Sequence, residues 1–358
     1  MELVASPYMM VYRKYMPHFL IILVQIGYAV LYIITKASFD HGMNPHVFVT
    51  YRYVVGGLVM FPFAYFLERK VRPKMTFTLF LEIFLLSLLG GSLTFNMYFA
   101  SLKYTSPTFV TSIINTIASM TLIIAVILRL EALDVKNLHG MAKVIGTLIS
   151  LGGVLTMILH EGPAIKSSSA APIHIRNEPV RQNWIKGSIL VVASCLSWSF
   201  WYIMQAFTLK KYPAQLSLTT WMNCIAAAQS AAFTIIIEHR REAWIISTYR
   251  NDLWPILYAG VVFSALAMFI QVWCTKKKGP VFVTIFNPLA TLFVAILAYF
   301  VLGETLHIGR MLGAVIIIIG LYLVLWGKDR DEGQVVDQEH KEPKLPMKET
   351  SAERAEVI

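Results

Sequence analysis

Ten stretches of this chain are long enough and poor enough in charge to cross a lipid bilayer, and that leaves it few folds besides a bundle of membrane helices. They run roughly over 17–38, 46–67, 77–101, 107–128 and 139–159, then 185–207, 216–237, 252–274, 281–302 and 309–327. A helix of about 20 residues crosses the roughly 30 Å hydrocarbon core, and each stretch meets that length. The runs are continuous, whereas barrel strands would alternate apolar and polar residues over about 10 positions. With 56% of the 358 residues hydrophobic and 15% charged, the composition also departs from that of a soluble globular domain.

The ten runs form two sets of five that resemble each other. At a constant offset of 173, Pro107, Phe109, Val110, Thr111, Glu131 and Gly140 fall on Pro280, Phe282, Val283, Thr284, Glu304 and Gly313. A second register, offset by 170, pairs Tyr32 with Tyr202, Thr50 with Thr220 and Glu68 with Glu238. An odd number of spans per copy makes the copies face opposite ways, as in many secondary transporters, where such repeats build two gates around one central site. The expected division is an N-terminal segment 1–16, a first five-helix repeat 17–159, a linker 160–184, a second repeat 185–327 and a tail 328–358. The linker, with its run Lys166-Ser-Ser-Ser-Ala-Ala-Pro172 and Pro179, reads as mobile, and the polar tail reads as disordered.

Lysine and arginine in the short loops set the orientation. Fifteen of them, from Arg13 and Lys14 to Lys328 and Arg330, fall on one side, and ten on the other. Both termini are therefore expected in the cytosol, and Arg13 and Lys14 ahead of a span-length first run read as a retained signal-anchor. The formal net charge of +10 is assigned to this insertion signal and to contact with anionic lipid headgroups, with no nucleic-acid partner. Plasma membrane is the expected location and the vacuolar membrane the alternative; a homodimer is compatible with the sequence. Cys195, Cys224 and Cys274 all lie inside spans and read as small buried hydrophobes. No His or Cys pair has metal-ligand spacing, so neither a metal nor a cofactor is expected.

Polar groups inside spans are expensive and normally face a cavity, a helix or a substrate. In the first span Gln25, Tyr28, Tyr32 and Lys36 fall on one helical face, and in the sixth Trp198, Trp201, Tyr202 and Gln205 repeat the arrangement. The two faces suit a shared lined cavity or, alternatively, an interfacial aromatic belt. Arg52, about two turns into the second span, can hold a substrate carboxylate bidentately or snorkel to the interface. Asn96 and Asn115, with Thr94, Tyr98 and Ser119, together with Gln271 and Asn287, are neutral groups that can bind a zwitterion or simply link helices. These candidates lie without any Asp or Glu near the midplane, which favours facilitated diffusion over proton coupling. Nor is there a pair of acids, a serine-base dyad or a ligand set for an intramembrane enzyme.

Prolines and end-of-helix acids carry the expected structural and gating roles. Pro107 and Pro280 open the fourth and ninth spans, where a missing donor costs little. Pro288, following Asn287 about a third of the way into the ninth span, frees a carbonyl one turn back and permits either a gating bend or a passive kink. Glu131 and Glu304 end the fourth and ninth spans at equivalent points and read as anchoring or gating contacts.

Several segments carry a resemblance. Gln25-Ile-Gly-Tyr-Ala29, Pro62-Phe-Ala-Tyr-Phe-Leu-Glu-Arg-Lys70, Thr105-Ser-Pro-Thr-Phe109, Gly279-Pro-Val-Phe-Val283 and Gly320-Leu-Tyr-Leu-Val-Leu-Trp-Gly-Lys328 look like the plant walls-are-thin-related, nodulin-like transporters. That branch of the drug/metabolite transporter superfamily, with paired EamA domains, is also called the usually-multiple-acids-move-in-and-out family. The resemblance extends to about Lys328. It implies an all-α membrane protein of ten transmembrane helices in two inverted five-helix repeats, moving amino acids in both directions, with transport of auxin (indole-3-acetic acid) as the alternative. The chain departs from the pattern in its third span, where Thr94-Phe95 replaces a polar Asn-Gln pair of many relatives and makes a pocket there more apolar.

Overall fold

The computed structural model describes residues 7–40, 42–102, 104, 110, 113–131, 137–159, 164–165, 184–239, 244, 253–301 and 306–341. Ten helices appear among them. The first repeat holds α1 (Pro7–Asp40), α2 (Pro45–Glu68), α3 (Phe77–Ser87, continued by Leu88–Leu93 and Thr94–Leu102), α4 (Ile117–Ile127) and α5 (Leu138–Leu159). The second holds α6 (Trp184–Lys211), α7 (Gln215–Ile237), α8 (Leu253–Tyr258, continued by Ala259–Ala267 and Met268–Lys278), α9 (Pro280–Ile285 and Asn287–Val301) and α10 (Ile308–Lys341). Seven of these, among the described residues, are long and apolar enough to cross a membrane: α1, α2, α3, α6, α7, α8 and α9. α5 has 22 residues, and α4 and α10 hold the shorter apolar stretches Ile117–Ile127 and Val315–Lys328.

Local chemistry sets the helix ends. Asn44 accepts from the backbone N–H groups of His46 and Val47 with Pro45 in the first turn, satisfying donors that a helix start leaves unpaired. Thr76 does the same for Leu79 at the head of α3. Gly279 takes φ of 83°, a left-handed conformation that suits glycine, and Pro280 then opens α9 as expected. Lys210 and Lys211 close α6, and Lys276, Lys277 and Lys278 close α8, where cations complement the helix dipole.

The packing displays the inverted duplication directly. Equivalent helices face each other across a pseudo-twofold axis: α2 lies on α7, and α5 on α10. Glu68, at the end of α2, accepts from the backbone N–H groups of Leu216 and Ser217 at the start of α7, at 3.0 and 2.7 Å. At the opposite ends, Glu238 after α7 accepts from Asn44, the cap of α2, at 2.7 Å. The two helices are therefore antiparallel. The same holds for α5 and α10, where Gly153 faces Gly313 and Gly146 faces Gly320, with so little room that an added Cβ would come within 2.8 Å of a backbone oxygen in each case. Small residues let the backbones touch, as membrane helix contacts require. Around these pairs α1 packs on α8 and α9 while α6 packs on α3 and α4, one arrangement being the image of the other.

Replacing Glu68 with alanine leaves two N–H groups at the head of α7 without their acceptor, since Ala214 at the cap position makes no side-chain hydrogen bond. A loss of about 1–2 kcal/mol is expected, read as a lowered thermal midpoint of the purified protein. An unchanged midpoint would show the cap to be redundant.

Several expectations need correction. α1 begins at Pro7, with Pro17 inside it, rather than at residue 17, because an apolar run fixes the membrane-crossing part and not the limits of the helix. Likewise the tail is not unstructured from Lys328: α10 continues to Lys341, since adding residues to an existing helix needs no new nucleus. Of the linker, Ala164 and Ile165 pair antiparallel with His307 and Leu306, tying it to the second repeat. Cys195 and Cys274 are buried, but Cys224 is exposed, on a part of α7 whose neighbour Gly57 approaches without covering it. Nothing in the residue pattern signals that Leu88–Leu93 and Ala259–Ala267 are π-helical; both occur in the third helix of a repeat, and such segments are frequent at functional sites. Pro107 and Glu304 lie outside the described residues.

Candidate functional site

Arg52 does not snorkel. Only 3% of it is exposed, and its guanidinium is boxed by three aromatic rings, with its central carbon 4.2 Å from the centroid of Phe95, 4.7 Å from that of Tyr53 and 4.9 Å from that of Phe263. Nη2 donates to the Tyr53 hydroxyl at 3.1 Å, and Nε has no hydrogen-bond partner. Among the described residues no carboxylate forms an ion pair with it. Each cation–π contact offsets part of the desolvation cost, about 0.5–2 kcal/mol per ring, but rings supply no acceptor for the remaining N–H groups.

The π-helical segments deliver this box. Phe263 lies within the segment of α8, and Phe95 is the second residue after that of α3. Close packing of α2 on α8 holds the Phe263 segment in place: an added Cβ at Gly260 would come within 2.4 Å of Val55, and one at Gly56 within 2.6 Å of Ser264. Trp198 packs on Phe95 with centroids 5.9 Å apart, and Tyr28 meets Phe263 edge-on at 4.5 Å. One aromatic lining is thus built from α1, α2, α3, α6 and α8.

From Tyr28 a neutral polar network leads away from the box. Gln271 Nε2 donates to the Tyr28 hydroxyl at 2.8 Å and reaches the Tyr202 hydroxyl at 3.5 Å. Asn287 lies beside the Tyr202 hydroxyl and is 3.5 Å from Gln25 Nε2. Thr275, one turn beyond Gln271, donates to Gln205 Oε1 at 3.1 Å. Of the sequence candidates, Gln25, Tyr28, Arg52, Trp198, Trp201, Tyr202, Gln205, Gln271 and Asn287 therefore share one lined region. Trp201 and Tyr202 are 5% and 1% exposed, turned into the bundle and away from its outer surface.

Other candidates fall elsewhere. Asn96 pairs with His46 at 2.9 Å and donates to the Ser92 carbonyl, which links α3 to the start of α2. Asn115 accepts from Thr291, joining α4 to α9, and Tyr32 lies near Tyr98. Helix α9 is interrupted at Phe286, whose carbonyl accepts from Leu289, so Pro288 sits in the first turn of a renewed helix. Glu131 accepts from Lys328 at 2.7 Å and Lys143 at 3.3 Å, an anchoring contact of α4 with α5 and α10.

Tyr53, Phe263 and Thr275 belong to the region and were not singled out from the sequence. Adjacent residues on a helix point apart, which hides the Arg52–Tyr53 contact, and a phenylalanine within an apolar span carries no mark of its own. Phe95 was visible only as a departure from its relatives. The second repeat holds Met222 at the position equivalent to Arg52 in the 170 register, fully buried, so the cation occurs once and the lining is chemically one-sided.

Residues 16–159 and 185–326 each match the EamA-like transporter family. The WAT1-related protein At4g08300 of Arabidopsis thaliana is 40% identical over 345 residues, covering 94% of this chain and 92% of its own. At2g39510, another WAT1-related protein of that plant, is 40% identical and covers 90% and 87%. A solved crystal structure superimposes with a TM-score of 0.66 over 86% of this chain and 98% of its own, at 15% identity, which shows a shared fold. Two matched repeats, a full-length likeness and a helical bundle around one lined region place this chain in the EamA-like transporter family, among its plant WAT1-related members, as a multi-pass membrane transporter and not an enzyme.

Proposed function

We propose that the protein moves amino acids in both directions by alternating access, with the carboxylate held at Arg52. The observation that carries this reading is the buried guanidinium: three rings surround it, and no described carboxylate pairs with it. A substrate carboxylate supplies the missing acceptor in bidentate geometry. The amides and hydroxyls of Gln271, Asn287 and Tyr202 then receive the polar remainder. Because the described lining has no Asp or Glu to carry a proton, facilitated diffusion is the mechanism it supports. Phe95, Phe263 and Trp198 favour a second reading, in which the cargo is indole-3-acetic acid or another aromatic organic acid.

The same proposal places the protein in the plasma membrane with both termini cytosolic, the vacuolar membrane being the alternative. Residues 17–159 and 185–327 form the two repeats, and no assembly beyond a homodimer is required. Pro280, Pro288 and Glu131 serve the gates or the frame. The test is counterflow in proteoliposomes of radiolabelled glutamine and indole-3-acetic acid, side by side at equal pH on both sides. Glutamine exchange without a pH gradient supports the amino-acid facilitator; exchange of the indole acid alone transfers the function to the second reading; exchange of neither refutes both.

A further inference from the structure

Helix α6 carries two buried donors that have no partner among the described residues, Trp201 Nε1 and Gln205 Nε2. They are four residues apart and so share a face, with exposures of 5% and 0%. Both side chains are fixed by their neighbours. The Trp201 ring lies against Gly90, where an added Cβ would come within 2.3 Å of Nε1, and stacks edge-on against Tyr202 at 4.8 Å. Gln205 is turned by the hydroxyl of Thr275, which occupies its oxygen. A buried N–H without an acceptor is costly, and two of them on one face of a rigid helix are arranged to meet an acceptor that the chain does not itself provide.

Their position is distinct from the Arg52 box. From Phe263 to Thr275, the partner of Gln205, is at most about 18 Å along α8 at 1.5 Å per residue, roughly half the hydrocarbon thickness, while Trp201 lies about one turn along α6 from Trp198, on the side of Gln205. The Tyr28, Gln271 and Tyr202 network lies between. Lys210 and Lys211 end α6, and Lys276, Lys277 and Lys278 end α8; Lys211 is paired with Glu82, and the cations that remain in excess favour an anion at this end of both helices, where Gln205 stands with Trp201 one turn deeper.

We propose that Trp201 and Gln205 form a second station for the substrate carboxylate, on the basic side of the membrane, occupied before or after Arg52. This rests on the reading that the cargo is a carboxylate. Two N–H donors with no nearby acceptor of their own suit an anionic oxygen, and the intervening neutral network offers weaker contacts from which it can leave.

The test uses the full chain in proteoliposomes of determined orientation, with glutamine and indole-3-acetate as probes. Trp201→Phe keeps the ring and removes only the N–H; Gln205→Met keeps the volume and removes the amide. Each is expected to raise the half-saturating concentration from the basic side about tenfold, the loss of one hydrogen bond to a charged group. The value from the opposite side stays put, and the ratio of maximal rates shifts in step, as equilibrium across a passive carrier demands. The thermal midpoint without substrate is unchanged or higher for Trp201→Phe, because an unmet donor has been removed. An equal rise on both sides, no rise, or a lowered midpoint would overturn the second station. Arg52→Gln in the same vesicles separates the two readings: normal transport refutes the carboxylate anchor and the station with it, whereas lost transport alongside unaltered α6 variants refutes the station alone.

Discussion

Arg52→Gln is expected to reduce transport on the order of a hundredfold, and Arg52→Lys to recover only a small part of it. The guanidinium has a partner for one Nη2 hydrogen, the Tyr53 hydroxyl, and three rings for its faces. A carboxylate arriving there forms charge-assisted hydrogen bonds away from water, and losing the partner of such a bond costs about 2–5 kcal/mol. Lysine restores the charge but not the planar fork, and its compact ammonium is harder to desolvate. Glutamine removes a buried cation together with its ring contacts, two terms of opposite sign, so the thermal midpoint should move little. Transport measured in variants that elute as folded protein decides the matter: wild-type rates in a folded Arg52→Gln protein would remove Arg52 from the substrate path.

A large loss of stability is expected instead at Glu131. Its carboxylate holds Lys143 and Lys328, whose side chains are only 3% and 9% exposed, and it thereby clamps α4, α5 and α10. Taking one member from a buried ionic group typically costs about 3–5 kcal/mol, because the opposite charges stay behind in a poor solvent. Glu131→Ala should therefore lower the thermal midpoint by several degrees and reduce the yield of folded protein. Combining it with Lys143→Met, which takes one ammonium out of the same cluster, should restore part of the loss. If the single variant keeps its midpoint, the cluster is hydrated and the clamp is without consequence.

The bundle was legible because hydrocarbon admits so few solutions. Charge-free runs of span length announce helices, and matched positions such as Pro107 with Pro280 and Glu68 with Glu238 announce two copies. The site was legible where polarity stood out against an apolar background, as with Arg52, Tyr202 and Gln271. Where it was built from apolar rings it was silent, since Phe263 on the guanidinium and any lipid-facing phenylalanine are the same letter. The π-helical segments were equally hidden, for they alter which residues face inward without changing composition. Asn96 and Asn115 are ambiguous for a complementary reason: a helix-to-helix hydrogen bond and a ligand contact ask for the same side chain, and only the structure shows that His46 and Thr291 lie against them.

The exchange of caps between α2 and α7 has a mechanical consequence. Each helix ends on a carboxylate that grips the beginning of the other, through two backbone N–H groups at one membrane face and through Asn44 at the opposite face. The pair is a strut pinned at both ends, and Arg52 sits on it. Although Arg52 belongs to the first repeat by sequence, its helix is tied at both ends to a helix of the second. Under the proposed alternating access, the charge would therefore stay at the pivot while the walls around it open first to one compartment and then to the other.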